Sequence, residues 1–254
     1  MKSLRFLTGL GGLVILAFAF GFIFQFPLVT SLWPWPDGRL SYLFIGSILA
    51  AVSVAALWVG WTGEFGALPA GSLNVLVIAG GTAIYFFQLA LQGRPNLIPF
   101  GIGALIAVIA SGAAFLWSRR IPLNDSRPMP GLVRVSFGIF IVSLVLAGGA
   151  LVFRIPVFPW ALNPDSSVIF GCIFIGDAFY FLYGLLNPRW HNAAGQLLSF
   201  LAYDLVLIVP FLLLFETVKP EFMLNLTVYV AVLVYSGGLA VYYLFVNPKT
   251  RLGS

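Results

Sequence analysis

Two aspartates stand where acids are seldom left without a task. Asp177 in FIGDAFYF and Asp204 in LAYDLVL each lie near the middle of a long apolar run. A charged carboxylate at that depth costs about 2.5 to 3.5 kcal/mol on insertion scales, so an acid there is read as functional by default. The two runs are consecutive and antiparallel, which would allow the carboxyls to face each other. A close pair without a cation would share a proton at neutral pH, the chemistry of a proton relay or a cation site. A second account has each acid protonated, hydrogen-bonded to Tyr180, Tyr203, Ser199 or a backbone carbonyl, and acting as glue between helices. A third gives them a basic or phenolic partner on another protein's helix.

Little else in the chain is reactive. His191, in NPRWHNAAG, is the single histidine, so a bis-His haem cannot be built within the chain. Beside Arg189 and Trp190 it reads as a solvated interfacial residue, with a single pigment or metal contact as the alternative. Cys172 is the single cysteine, which excludes an intrachain disulfide and a cysteine metal cage. No nucleophile triad, His-Glu-x-x-His pattern, paired metal ligands or phosphate loop is present, so no enzyme constellation, metal site or intrinsic cofactor is expected.

The elements that must position the acids follow from composition. Of 254 residues 61% are hydrophobic and 8% charged, with mean hydropathy +1.03, too apolar for one water-soluble core. Hydropathy divides the chain into eight runs, each about 19 to 23 residues long and able to cross about 30 Å of hydrocarbon. They lie at 4–26, 40–61, 71–91, 98–117, 133–153, 168–186, 195–215 and 224–246. The fold class is therefore all-α, a polytopic membrane protein of eight transmembrane helices. MKSLR and Ala17-Phe18-Ala19 resemble a signal peptide, but the apolar run continues well beyond Ala19, and it is expected to stay as the first helix.

Eight spans with an inside start place Lys2, Arg5, Arg119, Arg120, Arg127, Arg134, Arg189, Lys249 and Arg251 on the cytoplasmic side, against Arg39, Arg94, Arg154 and Lys219 outside. This nine-to-four bias predicts both termini in the cytoplasm. The net charge of +5 is then a record of topology, and its spread over separate segments argues against nucleic-acid binding.

A stretch beginning LWPWPDGRLSYLFIGS at Leu32 is echoed by FPWALNPDSSVIFGCIFIGD at Phe158. AGSLNVLVIAGG and AGQLLSFLAYDL echo each other too, as do AVIASGAAFLW and AVLVYSGGLAVYY, at offsets of roughly 124 to 130 residues. The chain reads as a tandem parallel repeat: a first four-helix unit at 1–120, a Pro-rich cytoplasmic linker at 121–130, and a second unit at 131–254. In each outer loop prolines stop the helix, and Trp33, Trp35 and Trp160 anchor the turn at the membrane interface. Asp37 with Arg39, and Asp165 with Arg154, offer each loop one acid and one base. Such a loop is a helix-hairpin cap or an outer binding platform, and the cap is the commoner use. By the Phe-Ile-Gly match, Ser47 stands opposite Asp177, so no acid is duplicated; this favours helix glue over a shared transport site.

The Trp-Pro-Trp and Phe-Pro-Trp-x-Leu-x-Pro loops resemble those of uncharacterised multi-pass membrane proteins of bacteria. The resemblance implies a bacterial cell membrane and no particular activity.

Two functions suit these features. One is a non-catalytic accessory subunit of a larger membrane complex, respiratory or photosynthetic, packed by its 25 phenylalanines against lipids, quinone, pigments or other subunits. The other is a small-solute or proton-coupled transporter or channel with Asp177 and Asp204 in its path. It needs a hydrated cavity, for which Asn74, Thr82, Gln88, Asn225 and Thr227 are the main polar linings the sequence offers.

Overall fold

The computed structural model describes residues 2–252; Met1 and Gly253–Ser254, the outermost residues of the two expected units, lie outside that range. Eight long helices account for most of it: α1 (Lys2–Ile23), α3 (Arg39–Thr62), α4 (Leu68–Leu91), α5 (Ile98–Ser118), α6 (Gly131–Val152), α7 (Pro164–Leu186), α8 (Trp190–Leu214) and α9 (Met223–Val241). A single turn, α2 (Pro27–Thr30), follows α1, and α9 continues as a π turn over Tyr242–Val246. All eight long helices are long and apolar enough to cross a membrane, and the described residues form no strand. The chain is an all-α polytopic membrane protein.

The ends of α1 and α6 show how sequence sets the turns. Gln25 and Arg154 both adopt the left-handed conformation (φ 55° and 61°), uncommon for residues with a side chain. Around each, the helix closes with the same pair of bonds. Gln25 N–H donates to Phe22 O and Phe26 N–H to Gly21 O; Arg154 N–H donates to Leu151 O and Ile155 N–H to Ala150 O. This is the Schellman arrangement, and in both cases a proline, Pro27 or Pro156, follows two residues after the left-handed one.

The helices pack as four hairpins, α1 on α3, α4 on α5, α6 on α7 and α8 on α9, joined where α4 meets α7 and α3 meets α8. Exchanging α1, α3, α4 and α5 for α6, α7, α8 and α9 leaves this set of pairs unchanged. Small residues permit the closest approaches. A Cβ added at Gly171 of α7 would lie 2.7 Å from Gly148 O of α6, and one at Gly148 would lie 2.9 Å from Gly171 O. Gly12 and Gly60 similarly seat α1 against α3.

By contrast, α3 and α4 scarcely touch although they are consecutive, and neither do α7 and α8. The flanks of α7 are already occupied: Gly171 lies on α6, while Gly176 presses on Asn74 O and Ile78 of α4. The Phe-Ile-Gly register does not survive this packing. Gly46 faces Ala19 and Ile23 of α1, whereas its sequence match Gly176 faces α4, not α6. Ser47 and Asp177 are thus not equivalent positions; the four long helices of the first half hold no acid in any register, so no acid is duplicated.

Candidate functional site: an intramembrane cavity with one acid

Where consecutive helices part, a cavity of about 1050 Å³ opens through the bundle. Its wall begins at Trp58 and Val59 near the C-terminus of α3 and at Leu68 at the start of α4, the end of the bundle that carries the linker. It passes Asn74, Asp177, Tyr180, Ser199 and Tyr203 at mid-depth. It reaches Pro156, Val157, Leu224 and Asn225 at the opposite, Trp-loop end. Its lining is mostly Ala, Val, Leu, Ile and aromatic side chains, with Ser72, Ser111 and Ser143 as scattered polar points.

The two aspartates part company here. Asp177 lines the cavity, and its Oδ1 accepts a 2.6 Å hydrogen bond from Asn74 Nδ2 of α4, a residue 103 positions away. Asp204 is buried outside the lining, where its Oδ1 accepts from Ser236 Oγ of α9 at 3.0 Å and its Oδ2 has no hydrogen-bond partner. No hydrogen-bonded path links the two acids among the described residues. The facing pair that the sequence left open is therefore not formed, because Asp177 bonds to Asn74 of α4 while Asp204 bonds to Ser236 of α9. The expected partners also differ: Tyr180 pairs with Ser199 at 3.1 Å, and Tyr203 with Tyr229, instead of with the acids. Asn74 and Asn225 line the cavity as the transporter reading needs, while Thr82, Gln88 and Thr227 do not.

At the Trp-loop end the Asp165–Arg154 pair is kept, the Asp37–Arg39 pair is not, and both acids brace the two halves. Asp37 forms no ion pair with Arg39; it accepts from Trp33 Nε1 at 2.8 Å and from Ser166 Oγ of α7. Asp165 accepts from Tyr85 at 2.6 Å and from Arg94, both in the first half, and Arg154 stands farther off at 3.6 Å. Trp160 Nε1 donates to Ser41 Oγ at 3.1 Å. The indoles are also packed on protein: Trp33 on Phe170, Trp35 on Phe86 and Trp160 on Phe158, with ring centroids 5.8, 5.6 and 4.5 Å apart. The bonds to Ser166, Ser41 and Asp165 and the Trp33–Phe170 contact fasten one half to the other, while the Trp35–Phe86 and Trp160–Phe158 contacts fix each loop on its own half.

At the linker end lies a cluster that sequence reasoning missed. Glu64 follows α3 in a short turn, and its side chain has no exposed surface. Both carboxylate oxygens stand 3.1 Å from the Asn124 backbone N–H, and Oε2 also meets His191 Nδ1 at the start of α8. A carboxylate only accepts, so Nδ1 carries the proton in this contact. His191 Nε2 lies 3.6 Å from Asp125, which is bound by Arg127 at 2.6 Å, and Arg127 Nη1 donates to Lys249 O. Partial burial works to raise the Asp125 pKa, but the bonds from the Arg127 side chain and backbone and the nearby His191 outweigh it, leaving Asp125 below its ordinary value. The 121–130 segment is thus a bolted strap. Its Met129 N–H donates to Pro188 O, and a Cβ on Gly66 would strike Pro122 O. No local sequence signal pairs residues 127 positions apart; an acid in a short loop and a solitary histidine were the only hints.

No protein-family description matches the chain, and no significant similarity links it to a curated protein or to a solved structure.

Proposed function

We propose that the protein is a non-catalytic carrier for a small lipophilic solute, with the cavity between its halves as path and binding site. One observation carries this: a single cavity whose wall runs from Trp58 at the linker end to Leu224 at the other, with Asp177 between. Its size and apolar, aromatic lining are those of a site for a drug-sized molecule, which fits in about 300 to 1000 Å³. A bundle that only filled a place in a respiratory or photosynthetic assembly would gain dispersion energy by closing α3 on α4 and α7 on α8. The accessory-subunit reading therefore explains less of the fold. A quinone, lipid or pigment, if one is bound, belongs inside the protein rather than on its flanks.

Native purification from its own membrane, with mass spectrometry of everything retained, tests the reading. A lipophilic small molecule held in stoichiometric amount is expected. Stoichiometric partner proteins with no such molecule would favour the accessory subunit instead.

The duplicate-unit reading, 1–120 and 131–254, draws support from the twin Schellman ends and from a packing pattern unchanged by exchange of the halves. For the membrane side, the cation bias supports a cytoplasmic linker end, and the resemblance of the Trp-Pro loops implies a bacterial cell membrane. In a Cys172→Ser background, Gly38→Cys should react with an impermeant thiol reagent added to intact cells and Ser126→Cys should not. Gly38 has open space for a side chain and Ser126 is exposed, so the opposite labelling would reverse the orientation.

A further inference from the structure

We infer that the cavity takes a lipophilic cation, an organic ammonium or phosphonium with an apolar body, whose charge pairs with Asp177 at mid-depth. The inference rests on the carrier reading and names its solute class.

Charge complementarity identifies the solute. Asp177 is the sole carboxyl in the lining, and among the described residues no lysine, arginine or histidine lines it. Asn74 saturates part of Oδ1 and leaves the acid without a counter-charge. Other acids of this chain show what a resident partner looks like: Asp165 has Arg94 and Arg154, and Asp125 has Arg127. A carboxyl away from water either takes up a proton or is held ionised by a cation, and in this lining only an incoming solute can supply that cation. Around Asp177 the same wall presents Phe174, Tyr180, Phe200, Tyr203 and Tyr229, whose ring faces attract a cation more strongly once it is desolvated. A neutral lipophile would use the apolar wall and leave the acid unused. A lipophilic anion would meet an unpaired carboxylate in low dielectric.

The position also suits release. Asp177 lies midway along a cavity that reaches toward both ends, so a cation paired there has left one surface and not yet reached the other.

The test uses the full-length protein in detergent and two probes, tetraphenylphosphonium as the cation and N-phenyl-1-naphthylamine as a neutral lipophile, each measured by equilibrium dialysis. Ala51→Trp, which fills the cavity wall on α3, is expected to weaken both. Asp177→Asn keeps an acceptor for Asn74 and so preserves the helix contact. It is expected to weaken tetraphenylphosphonium binding by at least about tenfold and to leave the neutral probe within about twofold. If the wild type binds neither probe better than Ala51→Trp does, the carrier reading itself fails. If it binds the neutral probe alone, or binds the cation equally well in Asp177→Asn, the cavity stands and the cation inference is overturned. Should Asp177→Asn not fold, the wild type carries the test through dicyclohexylcarbodiimide, which modifies carboxyls in apolar surroundings. Modification located at Asp177 should be slowed by tetraphenylphosphonium and not by the neutral probe; equal labelling with and without the cation overturns the inference.

Discussion

Gly171→Val is expected to separate α6 from α7 and to cost on the order of 3 kcal/mol, the upper range for overpacking a well-filled contact. The reason is that the obstacle is backbone. A Cβ at Gly171 would stand 2.7 Å from Gly148 O and 2.9 Å from Val152 N, and neither can swing aside as a side chain does. Nor can the strain be relieved by shifting α7 the other way, because Gly176 already presses on Asn74 O of α4. Gly149→Val on α6 is the control, since a Cβ there meets nothing within 4 Å. The measurement is the unfolding midpoint in detergent with the yield of monodisperse protein. The expected result is a large loss for Gly171→Val and a near-normal Gly149→Val; equal behaviour of the two would mean that the helices do not pack through these glycines.

Glu64→Ala is expected to release the strap at the linker end. The change removes the buried acceptor shared by His191 Nδ1 and the Asn124 N–H, at a cost of up to about 3 kcal/mol. If that cost falls on local opening of 119–130, the open population rises by roughly a hundredfold. Trypsin cleavage after Arg119, Arg120 or Arg127 tracks that population when opening is fast relative to cleavage. Faster cutting in Glu64→Ala, with the helical content retained, is the predicted outcome. An unchanged rate would show that the strap is held by its other contacts, Met129 to Pro188 and Arg127 to Lys249.

The spans were legible because length and hydropathy act on local sequence. The second run, read as 40–61, is the helix Arg39–Thr62, and the fifth, read as 133–153, is Gly131–Val152. The first run was read to residue 26, yet α1 ends at Ile23, since the left-handed turn at Gln25 is needed before Pro27. Partners across the bundle were not legible. Asp177 and Asn74, or Glu64 and His191, are brought together by which helix faces touch, and small-residue contacts at Gly171 and Gly176 decide that in three dimensions. The cavity was the least legible feature, since it arises from two helix pairs that are neighbours in sequence and stand apart in space.

The loop tryptophans illustrate the same limit. An interfacial level is what their residue type alone leads one to expect. The joining of the halves by Trp33 through Ser166 and by Trp160 through Ser41 depends on partners more than a hundred residues away.

Whether the space between the halves is a binding cavity is decided by native purification of the wild type beside Ala51→Trp. Both proteins would be extracted gently from the same membrane and the retained small molecules weighed and quantified against the chain. The account predicts a lipophilic molecule held by the wild type in stoichiometric amount and lost from a folded Ala51→Trp. The same molecule held equally by both, or held by neither, would contradict it.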